Sequence, residues 1–337
     1  MANVMRAVDI KGGKGHADAL FINDATPKPE PAAGQALVKV RAFGLNRMDL
    51  IQREGHYPLP PHAPTTLGVE FSGTIESFGP GDHDGGFAVG DDVFGLAYGG
   101  AYAEFVAVSS RMLLHKPAHL SFEQAAGIPE TWCTATQALH LVLGGIGAGK
   151  SILWHAGASG VSIAGIQLSR LAGAGAVFAT AGTAPKCAFI ERDLGATAAF
   201  NYKEQDWAHG ILQKTGGKGV DLIVDFIGAS YFQKNLDVVA RDGRVCMLGL
   251  MGGSVLDNVD IGALLFKRVR IEGSTLRSRD EDYQSELRDR LEQYLPKFDS
   301  GELKILIDTV LPWEDIQKAH GLLEANKTMG KIICTIA

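Results

Sequence analysis

From Ser151 onward the chain alternates short apolar runs with amphipathic ones, and no other feature constrains the fold as strongly. "SILWHAG" reads as a strand and "VSIAGIQLSRLAG" as a helix. "AVFATAG", "TAAFNY", "VDLIVDFIG" and "RVCMLG" read as further strands, separated by the helical patterns "PKCAFIERDLG", "DWAHGILQKTG" and "YFQKNLDVVARDG". Nearly continuous apolar strands between amphipathic helices need a parallel sheet covered on both faces. The expectation is an α/β fold built on a doubly wound sheet.

The first 120 residues have a different texture. "ALVKVRAFGL", "FSGTIESFG", "VGDDVFGL" and "AYAEFVAVS" are short β-type runs bounded by Gly and Pro, which suggests a barrel or sandwich. "YPLPPHAPTTLG" is too rich in proline for a helix or a central strand. Ser121 suits an N-cap for the alanine-rich helical stretch that follows. Past "FKRVRIEGSTLRSRD", Tyr283, Leu287, Leu291, Tyr294 and Leu295 share one face of a long helical pattern, and "GKIICTI" closes on a strand. The plan is a β-rich domain, an inserted α/β domain, and a last segment returning to the first.

Two glycine loops compete for a phosphate. Gly144–Ser151 fits the P-loop pattern G-x-x-x-x-G-K-[ST], and "VDLIVD" imitates the strand that accompanies it in nucleotide hydrolases. A P-loop, however, leaves a strand and enters a helix, so that backbone N–H groups converge on phosphate. Here the order is reversed, and Gly144–Lys150 reads as a helix-to-strand turn. Gly157–Ser162 is a poorer G-x-G-x-x-G, with Ser159 and Ser162 in place of two glycines, yet a strand precedes it and a helix follows. Gly157 then supplies the tight turn. Ser159, Gly160 and Val161 face a pyrophosphate, Ser159 with a hydroxyl to offer. Ser162 keeps the helix close to the sheet.

An NAD site places Asp or Glu about twenty residues further on, to accept from the ribose 2′-OH. This strand ends Thr180-Ala181-Gly182-Thr183 with no acid, and Lys186 follows in the first helical turn. Hydroxyls, a helix N-terminus and one cation suit a 2′-phosphate, hence NADPH. Tyr202, ending the next strand, adds a phenol or covers the adenine. The plainer alternative leaves Thr183 as a helix cap and Lys186 as a solvated lysine.

Thirty-two Lys and Arg against 38 Asp and Glu give a net charge of −6, which disfavours nucleic acid and anionic membrane surfaces as main partners. No apolar run reaches transmembrane length. The opening "MANVMRAVDIKGGKG" lacks the apolar core of a signal peptide. Cys133, Cys187, Cys246 and Cys334 are scattered, as buried thiols of a reducing compartment would be. A cytoplasmic location is the expectation.

"HAGASGVS", "TAGTAPK", "FNYKEQD" and "LGLMGG", with "LNRMDLIQREGHYP" and "VGDDVFG" earlier, resemble the zinc-independent quinone oxidoreductases of the medium-chain dehydrogenase/reductase superfamily. "LRSRD" and "EANKTMGKI" resemble its stress-inducible, zeta-crystallin-like branch. The resemblance implies a GroES-like β-barrel domain for substrate (1–127 and 281–337), a Rossmann domain for NADPH (128–280), and an active site in the cleft between them. Where zinc relatives carry Cys, His and Cys, this chain carries Asn46, Val69 and, approximately, Glu130, so no metal is expected. His56 and His62 sit in loops without Cys or acid partners, as structural or solvated histidines do.

The activity implied is hydride transfer from NADPH to a quinone or conjugated carbonyl. An NADPH-dependent enal or enone reductase is the alternative, and a P-loop NTPase a remote one. The resemblance puts Asn46 and Tyr57 at the substrate end, Asn46 and Thr134 near the nicotinamide, and Gly228, Leu250 and Met251 along its half of the cofactor. Leu276 and Lys331 are carried over as further cofactor contacts. Tyr57 is either a hydrogen-bonding proton donor or an aromatic wall. "VRIEGSTL" reads as an edge strand open to pairing, and the resemblance implies a homodimer joined there, with a tetramer left open.

Overall fold

The computed structural model describes residues 3–81 and 86–337; the first two residues of the opening stretch lie outside them. The chain divides into two units, Met1–Cys133 with Arg277–Ala337, and Thr134–Leu276. The boundaries thus fall at 133/134 and 276/277, against 127/128 and 280/281 expected. Helix Pro129–Thr136 runs across the first.

In the Thr134–Leu276 unit, six parallel strands lie in the order Ala198–Asn201, Ala176–Ala181, Ser151–Trp154, Val220–Asp225, Val239–Met247, Arg270–Gly273. The chain starts in the middle, winds outward on one side, then crosses over and winds outward on the other. This is the doubly wound Rossmann order. Its reversal leaves a crevice at the carboxyl ends of Ser151–Trp154 and its neighbours, where such folds bind ligand.

Helix Gly160–Leu171 packs on the first strand through Gly165, where any Cβ would enter the Trp154 ring. The indole Nε1 donates to Ser169 Oγ at 3.0 Å. Close helix–strand packing is therefore the work of Gly165. Ser162 ties the same helix to the strand end, its hydroxyl donating to the His155 carbonyl at 2.7 Å. Gly144–Ser151 passes from helical backbone into strand Ser151–Trp154, with no helix to aim its amides at an anion.

In the other unit, strand Gln35–Gly44 is the hub. It pairs antiparallel with Glu70–Phe78, Phe105–Ser109 and Lys331–Thr335. The C-terminal strand thus completes a seven-stranded GroES-like sheet begun three hundred residues earlier in the chain. The long helical pattern breaks ahead of its one proline, Pro296. Glu281–Glu292 ends before a short helix Leu295–Asp299, which takes Pro296 in its first turn, where no N–H is needed. Tyr294 and Leu295 therefore leave the face of the longer helix. All four cysteines are buried, unpaired thiols, and no helix among the described residues is long and apolar enough to cross a membrane.

Candidate active site

In the Rossmann unit, the loop after Ser151–Trp154 turns through Ala156, whose φ of 49° is left-handed, so the tight turn is not at Gly157. Gly157 must be glycine for space, because a Cβ there would stand 2.8 Å from Ala179 Cβ and Ile190 Cδ1. Ser159, expected to lend its hydroxyl to a phosphate, is the N-cap instead. It accepts from Ser162 N at 3.4 Å and donates to Ser162 Oγ at 3.2 Å. The groups left facing outward are the first-turn N–H groups of Gly160 and Val161, which no intrahelical carbonyl can reach.

A buried relay braces this loop from below. Asp225 accepts from Asn235 Nδ2 at 3.1 Å, which fixes the amide so that Asn235 Oδ1 meets His155 Nε2 at 2.8 Å. His155 Nε2 therefore carries the hydrogen, and Nδ1 accepts from the Thr180 hydroxyl at 3.0 Å. Burial lowers the His155 pKa and keeps the ring neutral. Thr180 thus corrects the sequence reading: its side chain points inward and its hydroxyl is taken. Asp225 also accepts from the N–H groups of Ile227 and Gly228, at 2.7 and 3.3 Å. One relay links three strand ends.

At the acid-free end of Ala176–Ala181, Thr183 caps helix Ala184–Arg192, accepting from Lys186 N at 3.4 Å. Tyr202 is 44% exposed, and its hydroxyl lies where a Cβ on Gly182 would be only 2.8 Å away. Gly228 has a φ of 80° and stands against Leu250, which is exposed together with Met251. The Thr134 hydroxyl is buried without a partner among the described residues. Leu276 is buried at the unit's last position.

In the GroES-like unit, one carboxylate organises the polar cluster. Glu70 is wholly buried. Its Oε1 accepts from Lys331 Nζ at 2.6 Å and from Asn46 Nδ2 at 2.8 Å, and its Oε2 accepts from the Glu130 N–H at 2.9 Å. Lys331 Nζ also donates to Leu45 O at 2.6 Å and Asn46 Oδ1 at 2.8 Å. An ammonium has three hydrogens, and these acceptors use them all. Lys331, carried over as a cofactor contact, is therefore an internal ion-pair partner. Asn46, half-buried ahead of helix Arg47–Arg53, keeps one Nδ2 hydrogen for another acceptor.

Asp49, wholly buried, accepts from Asn46 N at 2.8 Å, Gly68 N at 3.3 Å and the Tyr102 hydroxyl at 3.0 Å. Burial nonetheless raises its pKa to about 6. Tyr57 is half-buried, with the Arg277 guanidinium 5.4 Å from its ring centre. Burial first, then the Glu130 charge, raises the Tyr57 pKa and keeps the phenol protonated. Burial and the neighbouring Glu70 carboxylate push Glu130 up to about 8.

Sequence reasoning does not single out Glu70 or Arg277, and it names Glu130 only as the approximate counterpart of a zinc ligand. Glu70 follows Val69 directly, and Arg277 stands inside the motif "LRSRD". Among the described residues no group of three or more His, Cys, Asp or Glu is arranged to hold a metal ion.

Sheet order, switch-point loop and GroES-like partner unit define the class of two-domain, dinucleotide-dependent oxidoreductases. The "Alcohol dehydrogenase GroES-like domain" family matches residues 32–118, and the "Zinc-binding dehydrogenase" family residues 160–293. The quinone oxidoreductase of Homo sapiens is 30% identical, over 98% of this chain and 97% of that protein. The Escherichia coli quinone oxidoreductase complexed with NADPH superposes with a TM-score of 0.86 at 28% identity, covering 98% of this chain and 100% of that one. The CurK enoyl reductase also gives 0.86, at 27% identity over 99% of both chains. The chain belongs to the quinone oxidoreductases of the medium-chain dehydrogenase/reductase superfamily.

Proposed function

We propose that this protein is an NADPH-dependent quinone oxidoreductase that works without a metal, as a cytoplasmic homodimer. The observation that carries the reading is the Glu70–Lys331–Asn46 cluster. Of the positions that the resemblance sets against a zinc site, Val69 has no donor, Asn46 offers an amide, and Glu130, the approximate third, is a lone carboxyl. The nearest carboxylate, Glu70, already holds an ammonium at 2.6 Å. That donor set does not fit a tetrahedral zinc. An acceptor at this cluster must be electrophilic by its own structure, as a quinone is.

The residues present fit NADPH. Gly160 and Val161 offer N–H groups at a helix N-terminus to the pyrophosphate, and Gly157 lets the loop lie close to the sheet. Thr183, Gly182 and Lys186 offer a 2′-phosphate a helix start and a cation, at a strand end where Thr180 to Thr183 include no acid. Tyr202 flanks the same end. The orphaned Thr134 hydroxyl, Gly228, Leu250 and Met251 would line the nicotinamide half. When bound, NADPH supplies the hydride. Asn46 orients the acceptor oxygen with its remaining Nδ2 hydrogen, and Tyr57 hydrogen-bonds it or walls it in.

Assembly is assigned to the edge strand Arg270–Gly273, which has one free side and follows the exposed Leu265 and Phe266. Similarity to the CurK enoyl reductase favours a second reading, reduction of a conjugated enone. Mixing the protein with NADPH and matched panels of quinones and enones, and following loss of reduced-nicotinamide absorbance, separates the two. Turnover of quinones that survives a chelator supports the proposal; turnover of enones alone replaces it. A monomer by light scattering would remove the assembly claim.

A further inference from the structure

We propose that the carboxyl of Glu130 is the acid that delivers a proton to the acceptor oxygen, with Glu70 as the residue that positions it. The inference rests on the quinone-reductase reading. A quinone becomes a hydroquinone by gaining a hydride and a proton. Bound NADPH would supply the hydride, a hydrogen with both its electrons. One acceptor oxygen takes a proton as the Glu130 O–H bond breaks. A Glu130 carboxylate remains, and it takes up a proton from the buffered solvent before the next turnover.

The geometry selects Glu130 among the protic groups of the cluster. Lys331 has all three hydrogens on Leu45 O, Asn46 Oδ1 and Glu70 Oε1. Asp49 is wholly buried and its oxygens face inward, onto Asn46 N, Gly68 N and the Tyr102 hydroxyl. The Cys133 thiol is buried, and burial pushes its pKa well above the ordinary thiol value. Arg277 does not give up a proton in proteins. Glu130 differs from all of these. It is only half-buried, and its carboxyl oxygens accept no hydrogen bond from any described residue. Its backbone is fixed nonetheless, because its N–H donates to Glu70 Oε2 while Asn46 Nδ2 donates to Oε1. A single carboxylate therefore aligns the acid with the amide that orients the acceptor. Gly44 leaves the room for it, since a Cβ there would enter the Glu70 carboxyl.

The charges around Glu130 suit a proton that is held and then released. Glu70 and Asp49 disfavour its ionised form, Lys331 and Arg277 favour it, and Tyr57 and Cys133 lie within its field. With a pKa pushed up to about 8, the carboxyl is protonated at neutral pH and near the best value for a general acid.

The test compares wild type with Glu130→Gln and Glu130→Asp, using NADPH and 1,4-naphthoquinone. The glutamine keeps the shape and cannot give up a proton, so kcat/KM should fall about 100-fold or more, with NADPH affinity by fluorescence and the unfolding temperature unchanged. Wild-type kcat/KM should decline as pH rises through about 8. Glu130→Asp should keep that decline with part of the rate, and Glu130→Gln should lose it. A wild-type profile flat through about pH 9.5 overturns the proposal, even if the glutamine variant does not fold. So does a Glu130→Gln enzyme that keeps its rate, or keeps the alkaline decline. If wild type reduces no quinone at all, the functional reading falls, and the proposal falls with it.

Discussion

Lys331 Nζ lies 2.6 Å from Glu70 Oε1, and both side chains are almost fully withdrawn from water. Neither charge has a solvent alternative, so breaking the pair from one side should cost far more than removing both. Lys331→Met should destabilise the fold by about 3–5 kcal/mol, read from urea unfolding. Adding Glu70→Gln should return at least about 1 kcal/mol, because the stranded carboxylate is gone. A single variant within about 1 kcal/mol of wild type would show that water reaches the pair.

On the proposed reading, Lys186 should carry the preference for NADPH over NADH. Its N–H is tied to the Thr183 cap, which sets the helix start beside a strand end that bears no acid. A charge-assisted contact with a 2′-phosphate is worth about 1.5–3 kcal/mol. Lys186→Ala should therefore weaken NADPH about 10- to 150-fold and leave NADH nearly untouched. Titration of both cofactors by fluorescence checks this. Equal losses for the two would make Lys186 a solvated lysine on a capped helix.

How far the sequence reveals this site depends on whether the contacts are local. The Rossmann order follows from strand and helix periods within a few residues of each other, and the choice of Gly157–Ser162 over Gly144–Ser151 needs only the neighbouring elements. Asn46, Glu70 and Lys331 meet across 24 and 285 residues, and no local pattern joins them. Thr180 departs from its sequence expectation for another reason. A strand covered on both faces is apolar throughout, so alternation does not tell which side a hydroxyl takes. The His155 ring, which claims Thr180, decides it. In the same way Gly165 has no local signature, because only the Trp154 ring makes a glycine necessary there.

His320 should set part of the acid limit of stability. It is wholly buried, with Nδ1 3.1 Å from Arg53 Nη1. Arginine only donates, so Nδ1 accepts and the hydrogen sits on Nε2, which has no partner among the described residues. Burial, then the Arg53 charge, pushes its pKa down from 6.5 to about 3. Between those values the unfolded chain binds the proton and the folded chain does not. Stability is therefore intact above the unfolded pKa and is lost as pH falls toward about 3. The slope is about 1.4 kcal/mol per pH unit, and the sum on the order of 4–5 kcal/mol. His320→Gln should flatten this acid limb in urea unfolding measured across the range. Parallel limbs for the two proteins would remove His320 from the account.

Tyr57 separates binding from proton delivery. Its raised pKa makes the phenol a poor acid, while the Arg277 guanidinium 5.4 Å from its ring centre fixes where the ring stands. With Glu130 as the acid, the phenol contributes at most one hydrogen bond to the acceptor, worth about 1 kcal/mol. Tyr57→Phe should then raise KM for a quinone by about fivefold, with kcat within about twofold. Tyr57→Ala also removes the ring from Arg277, and should lower kcat/KM by a further factor of about ten as the acceptor loses its wall. Steady-state kinetics on one quinone decide the matter. A Tyr57→Phe enzyme whose kcat falls about 100-fold and whose alkaline decline disappears would move the proton from Glu130 to the phenol.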